Sequence, residues 1–253
     1  MTSMMPAKRL RCIHSRSCIC TNGHLNETTV YLVFRSLNWN PKLLCSIACV
    51  CKWFEDLAKR VLWKEFCLSR APKMVTDLAG VGHSTIDGNW NALGKLMFYC
   101  AGCHSTNNGF LSRSIPGHFV DRTRFSQTAG KSFLVPQCRT DTLYVTDPCE
   151  HLDQADDGDV GLFRGVFKAF SKSKTRRMLI EKRAQLHPKE TCPYCRTKVW
   201  SLHQEKMIPK SAFRRLDAYR DQLECFLCLN GHLIGVCTFL PLSDFDSASE
   251  GEE

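Results

Sequence analysis

The chain has 253 residues, 43% hydrophobic and 23% charged, with a formal net charge of +9; this suits one large or two unequal folded domains and excludes wholesale disorder. No run approaches the roughly 18 apolar residues of a membrane span, and the basic first 20 residues lack the apolar core of a secretory signal, so a nuclear or cytosolic protein is expected. In that setting the sixteen cysteines read as metal ligands and buried thiols, not as disulfides.

In chain order, residues 1–24 read as a flexible basic leader with Lys8, Arg9, Arg11 and Arg16. Its Cys12, Cys18, Cys20 and His24 lack the surrounding apolar framework that would hold a metal. Residues 25–71 read as a cluster of short helices. Val30, Val33, Phe34 and Leu37 recur at helical spacing. Asn40 caps the next helix and Pro41 fits its first position. Leu43, Leu44, Ile47, Ala48, Cys51, Phe54, Leu57 and Ala58 then form one apolar face, and Val61, Leu62, Trp63, Phe66 and Cys67 begin another helix.

Residues 72–92 read as a linker. From 93 to 242 a second domain is expected, with strands over Leu96–Tyr99, Phe133–Val135, Leu143–Val145, Lys198–Trp200 and Leu233–Leu240. Phe163, Val166, Phe167 and Phe170 fall at i, i+3, i+4 and i+7 and predict an amphipathic helix, followed by a second over Arg176–Leu186. The basic run Arg164, Lys168, Lys172, Lys174, Arg176, Arg177, Lys182 and Arg183 then reads first as the solvated face of these helices. Residues 243–253 are acidic and serine-rich, a disordered tail.

Two sets of cysteine and histidine carry metal-ligand spacing. Cys192-Pro-Tyr-Cys195 is a knuckle able to bring two sulfurs to one tetrahedral ion. Cys228 and His232 complete it, the Asn230-Gly231 step letting both side chains face one point. Cys225 competes, since Cys225 and Cys228 are also separated by a two-residue gap. The second set is Cys100, Cys103, Cys149 and His151, with His104 and Cys138 as competitors, and partners can be exchanged between the sets. Four protein ligands leave no open coordination position, so structural zinc, one or two ions, is expected.

Catalytic motifs are missing. Gly130-Lys131-Ser132 has Phe125 where a phosphate-binding loop needs glycine. GxSxG, HExxH and the deaminase pairing of HxE with PCxxC do not occur. A RING finger would require cysteine soon after His151, and the next one is Cys192.

The N-terminal unit resembles an F-box through Leu43-Leu44-Cys45, Val50-Cys51-Lys52-Trp53-Phe54, Leu57 and Leu62-Trp63-Lys64-Glu65-Phe66-Cys67. Trp53 directly follows Lys52, and Leu25-Asn26-Glu27 stands where F-boxes carry Leu-Pro. The rest resembles the plant EID-like F-box family, named from "empfindlicher im dunkelroten Licht". The carriers are Phe98-Tyr-Cys-Ala-Gly-Cys103, Gly130-Lys-Ser-Phe-Leu134, Asp147-Pro-Cys-Glu-His-Leu152, Leu186-His-Pro-Lys-Glu190 with Cys192–Cys195, and Asn230-Gly-His-Leu233.

The reading is an α+β fold: an N-terminal three-helix F-box, then a mixed α/β domain with zinc-ribbon-like knuckles. The resemblance implies a non-catalytic nuclear substrate receptor of a Skp–cullin–F-box ubiquitin ligase, in light, abscisic-acid or flowering responses. It would bind a Skp-family adaptor, through it a cullin, and a protein substrate. Leu43, Leu44, Ile47, Val50, Trp53, Phe54 and Trp63 are the candidates for adaptor binding and for the unit's own core. The alternative, built on the basic run, is a zinc-dependent DNA- or RNA-binding regulator.

Overall fold

The computed structural model describes residues 26–80, 89–101, 118–120, 123–130, 134–147, 149–151, 160–209, 212 and 224–238. The chain divides into two compact units, Met1–Trp63 and Lys64–Glu253.

In the first unit, α1 (Glu27–Ser36) begins at Asn26, whose side-chain oxygen accepts from Thr29 N at 2.7 Å. A cap therefore starts the helix where an F-box carries proline. Asn38 and Trp39 turn the chain at positive φ, 49° and 52°. Trp39 is nevertheless buried, edge-on to Tyr31 at 5.2 Å. Asn40 caps α2 (Pro41–Ala48), accepting from Lys42 N and Leu43 N, with Pro41 in the first turn as the sequence requires.

The apolar face read as continuous from Leu43 to Ala58 is broken. Cys49 N and Val50 N close a turn onto Ser46 O and Ile47 O, each at 3.1 Å. α3 (Lys52–Leu57) then continues through a π-helical turn (Ala58–Leu62) into α4 (Trp63–Arg70), with no fresh helix start at Val61. The wider turn resets the helical phase, so that Leu57, Ala58, Leu62 and Trp63 are all buried. Arg60 ties this turn to both Asp56 (2.7 Å) and Glu27 of α1 (2.6 Å).

The second unit continues with α5 (Pro72–Ala79) and α6 (Trp90–Phe98), where the sequence reading places a linker and then a strand. α5 forms because Met74, Val75 and Leu78 make a buried helical face. α6 is capped by Asn89, and its residues 92–94 and 96–98 are all buried. A short apolar run buried on every side has no period that separates helix from strand.

The strands are β1 (Tyr99–Cys100), β2 (His118–Phe119), β3 (Phe125–Ala129), β4 (Thr142–Thr146), β5 (Cys149–His151), β6 (Val160–Phe167), β7 (Leu186–Thr191), β8 (Lys198–Ser201), β9 (Glu224–Cys228) and β10 (His232–Thr238), with α7 (Lys174–Glu181) between β6 and β7. β1 and β2 pair with each other. Among the described residues the others form an antiparallel sheet ordered β3-β4-β6-β10-β9-β8-β7, with β5 beside β6. The expected strand over Phe133–Val135 is absent where described, since Leu134 and Val135 lead into a 3-10 turn at Pro136.

β6 is the main correction. The helix expected from Phe163, Val166, Phe167 and Phe170 is instead the central strand followed by a 3-10 turn at Phe170–Lys172. It pairs with β4 and β5 along one edge and β10 along the other. Leu162, Phe163, Arg164, Val166 and Phe167 are all buried, so both faces are covered and no alternation survives. Gly165 and Gly235 suit this crowding. A Cβ on Gly165 would press on Tyr144 O, and one on Gly235 would run into the Phe163 ring.

One sheet face carries the core of Leu143, Phe163, Phe167, Leu227, Leu233, Trp200 and Cys225, closed by Leu179 of α7. α7 is capped by Ser173, and Asp141 accepts from the N–H groups of Lys174 and Thr175. α7 ends at Glu181, earlier than read, and Leu186 opens β7. The opposite face is tied to the helices. Tyr144 donates to Asp77 of α5 at 2.6 Å, and Lys168 forms an ion pair with the same carboxylate.

The Lys168 hydrogen bond, then that of Tyr144, holds Asp77 below its ordinary pKa, while burial and Asp77 push Tyr144 up to about 12. The Asp77 contribution is therefore complete above about pH 4 and is lost as pH falls through the depressed value. The Tyr144 contribution is complete below about pH 10 and lost on the way to 12. Asp77→Asn is expected to lower stability by about 1 kcal/mol at neutral pH. In denaturation curves across pH, the gap to wild type should close in acid below about pH 4 and narrow again in alkali as Tyr144 ionises.

Candidate functional site

Cys192, Cys195, Cys228 and His232 converge from two hairpins. β7 ends one residue before Cys192, and the knuckle turns back on Cys192 N→Thr197 O and Arg196 N→Cys192 O, both 2.8 Å, with Arg196 at φ 62°. β9 ends at Cys228, and Gly231 turns the chain at φ 84° into His232, the first residue of β10. A Cβ on Gly231 would also strike the Phe170 side chain, so glycine is required twice over. The β8–β9 ladder, with Val199 opposite Cys228, sets the two turns side by side.

The four ligand atoms lie within 4.8 Å of one another. His232 Nδ1 is 3.6 Å from Cys192 Sγ, 3.3 Å from Cys195 Sγ and 3.4 Å from Cys228 Sγ, and Cys195 Sγ is 3.7 Å from Cys228 Sγ. A tetrahedral zinc with bonds of about 2.3 Å to sulfur and 2.0–2.1 Å to nitrogen requires separations of about 3.8 Å for S···S and 3.6 Å for S···N. The cluster thus fits a tetrahedral divalent ion, with His232 offering Nδ1.

Its surroundings hold the ligands in place. Tyr194 is buried edge-on to the His232 ring at 6.1 Å, and its hydroxyl reaches Tyr99 O at 3.4 Å. Thr197 Oγ1 is 3.1 Å from Cys195 Sγ, and His232 N donates to Cys228 Sγ at 3.2 Å. The roles of Tyr194 and Thr197 were not legible, because only their place beside the knuckle pointed to them.

Burial, then hydrogen bonds to Cys195 and Cys228, pushes the Cys192 thiol well up. Hydrogen bonds from Cys192 and Cys228 hold Cys195 far below the usual thiol range. Burial alone would lower His232, yet its hydrogen bonds to Cys195 and Cys228 raise it to about 10. A divalent ion replaces the protons of such a network, so acid competes with metal.

The competitor Cys225 is excluded by parity. Three residues from Cys228 along a strand, it points to the opposite face and lies in the sheet core. The second set is not assembled in view. Cys100 is buried on β1 and Cys149 half-buried on β5; Cys103 and His104 lie outside the described residues, and only the backbone of His151 is described. Cys138 sits in the core, its thiol raised by burial. The leader residues Cys12, Cys18, Cys20 and His24 also lie outside the described residues.

The adaptor candidates sort by exposure. Leu44 and Trp63 are buried, Ile47, Trp53 and Phe54 half-buried, Leu43 42% exposed and Val50 68% exposed. Five of the nine large apolar side chains exposed among the described residues, Leu32, Val33, Leu37, Leu43 and Val50, fall in this one short stretch. Elsewhere among the described residues large exposed apolar side chains are scattered singly, as is ordinary for a protein surface.

The chain is 60% identical over 252 residues to EID1-like F-box protein 1 of Arabidopsis thaliana, covering 99% of this chain and 85% of the relative. It is 60% identical to EID1-like F-box protein 2 of the same plant over 98% of this chain and 99% of the relative. The family model described as the EID1-like F-box protein 2 C-terminal domain matches residues 104–238.

The chain belongs to the EID1-like F-box proteins.

The span matched by that family model contains all four clustered ligands. The phytochrome A-associated F-box protein of Arabidopsis is a more distant relative, 29% identical over 52% of this chain and 40% of its own length. No solved structure matches. Among the described residues no helix is long and apolar enough to cross a membrane.

Purified protein is expected to carry about one zinc per chain at this cluster, by elemental analysis, with loading that falls as pH is lowered. Cys228→Ser and His232→Ala should lose the ion and lower the melting temperature, whereas Cys225→Ala should keep it. Metal retained in Cys228→Ser, or lost in Cys225→Ala, would count against this ligand set.

Proposed function

We propose that this chain is a non-catalytic substrate receptor of a Skp–cullin–F-box ubiquitin ligase, acting in the nucleus of plant cells in light signalling, with abscisic-acid or flowering responses as related branches. The observation that carries the proposal is the exposed aliphatic group Leu32, Val33, Leu37, Leu43 and Val50 on a short helical unit in an F-box family chain. So small a unit gains by burying such a surface on a partner, and a Skp-family adaptor is the partner an F-box implies. A light-signalling role is supported by the distant phytochrome A-associated relative.

The second unit would hold the target protein. Zinc at Cys192, Cys195, Cys228 and His232 would be structural: it links two hairpins, adds to folding free energy and offers no open position for chemistry. The receptor contributes proximity, raising the effective concentration of target lysines near a ubiquitin-charged enzyme.

The test is co-purification with a Skp-family adaptor. Wild type should form a stable complex. Leu43→Asp with Val50→Asp should keep the fold, by circular dichroism and melting, yet weaken adaptor binding by about tenfold or more, since both side chains are exposed. Leu44→Ala should act differently, destabilising the unit by about 2–5 kcal/mol. A well-folded wild type that binds no adaptor would remove the receptor assignment.

A further inference from the structure

The basic run changes character in the structure. Arg164 is 2% exposed within β6, its Nη2 donating to Thr123 Oγ1 at 3.0 Å and its Nε and Nη1 without hydrogen-bond partners among the described residues. Lys168 is engaged by Asp77, and Lys182 reaches Glu205 O and Met207 Sδ. What remains along the outside of α7 is Lys174 and Arg177, exposed, with Arg176 half-buried, and Arg183 is exposed just beyond its end.

Folding of α7 does not call for these charges. Its packing face is Thr175 and Leu179, and its caps are Ser173 and Asp141. Their placement even opposes local preference. The first turn holds no acidic side chain and the last no basic one, so Lys174 and Arg176 crowd the positive end of the helix dipole. Arg183 occupies a left-handed position, φ 53°, that favours glycine. Ile180 is 51% exposed between them. Arg176 and Arg177 stand four and three residues before Ile180, which puts these three on one face of α7, with Arg183 just beyond its C-terminal end. Local rules broken together along one exposed stretch are expected at functional surfaces.

We propose that this face of α7 docks an acidic segment of a partner protein that also supplies an apolar side chain to Ile180. Resting on the receptor reading, this makes it a contact surface for the recruited target. Nucleic acid fits less well. Eight residues at about 1.5 Å rise span only about 12 Å, and Phe163, Phe167 and Phe170, the aromatic side chains within the basic run, are buried, so none of the three can stack on a base. The one counter-charge on the helix, Glu181, stands 3.7 Å from Arg177 in a largely exposed pair that an incoming carboxylate displaces.

The experiment uses the full chain and a fluorescein-labelled Glu/Asp-rich peptide with one leucine, read by anisotropy. A Gln/Asn counterpart and a short DNA duplex serve as comparisons. The acidic peptide should bind best, and affinity should drop as NaCl rises from about 0.05 to about 0.3 M. Combined Arg176→Gln, Arg177→Gln and Arg183→Gly should weaken it by about tenfold or more while leaving the melting temperature equal or higher, because unfavourable charge and backbone strain are removed. Ile180→Ser should weaken it less. Unchanged binding by the triple variant, tighter binding to the duplex, or peptide binding only after deletion of residues 243–253 would each overturn the proposal, the last by naming the chain's own acidic tail as occupant. Adaptor co-purification on the same samples separates the readings, since the triple variant should keep the adaptor and a wild type without adaptor removes only the receptor assignment.

Discussion

The second unit depends on the ladder between β6 and β10. Seven register pairs, from His232 opposite Val166 to Thr238 opposite Val160, join the most buried strand to the last one. The first residue of β10 is a ligand of the cluster, so the pairing that builds the core also positions the chemistry. At the same end of β6 the chain turns at Phe170 into α7, and the Phe170 side chain lies against Gly231, the residue that turns Cys228 toward His232. Core, cysteine–histidine cluster and the base of the basic helix thus share one set of contacts. A substitution at Gly231 would disturb all three.

The cluster was legible because its signals are local. Cys192-Pro-Tyr-Cys195 and Cys228-Leu-Asn-Gly-His232 each carry their own turn, and a turn brings ligands together whatever the remaining fold does. Asn40-Pro41 was legible for the same reason. The sequence favours Cys228 with His232 but gives no ground for discarding Cys225. The Cys225–Cys228 spacing is that of a knuckle, but on a strand an odd separation sends two side chains to opposite faces, and β9 itself was not foreseen.

The misread elements share a cause. Phe163, Val166, Phe167 and Phe170 match a helical stripe only because β6 is buried on both faces and its run continues into a 3-10 turn. Leu96-Met97-Phe98-Tyr99 reads as a strand because α6 is buried nearly all round, which erases the polar stripe that betrays a helix. Periodicity reports the boundary between protein and water. Where a segment meets no water it falls silent, and hydrogen bonds from distant partners decide. Arg164 illustrates the cost: grouped by sequence with surface charges, it sits inside the sheet.

The order of strands in the chain has a consequence for synthesis. β10 is made after every other element described, yet it pairs with β6 in the middle of the sheet. Until then a nascent chain holds β6 with one open, strongly apolar edge, and Cys192 and Cys195 without their partners. An open edge of that kind is a template for pairing with other chains. The second unit therefore matures late and all at once, and its yield in a cell or in a recombinant host will be set by how well that exposed edge is shielded while the β9–β10 hairpin is being translated.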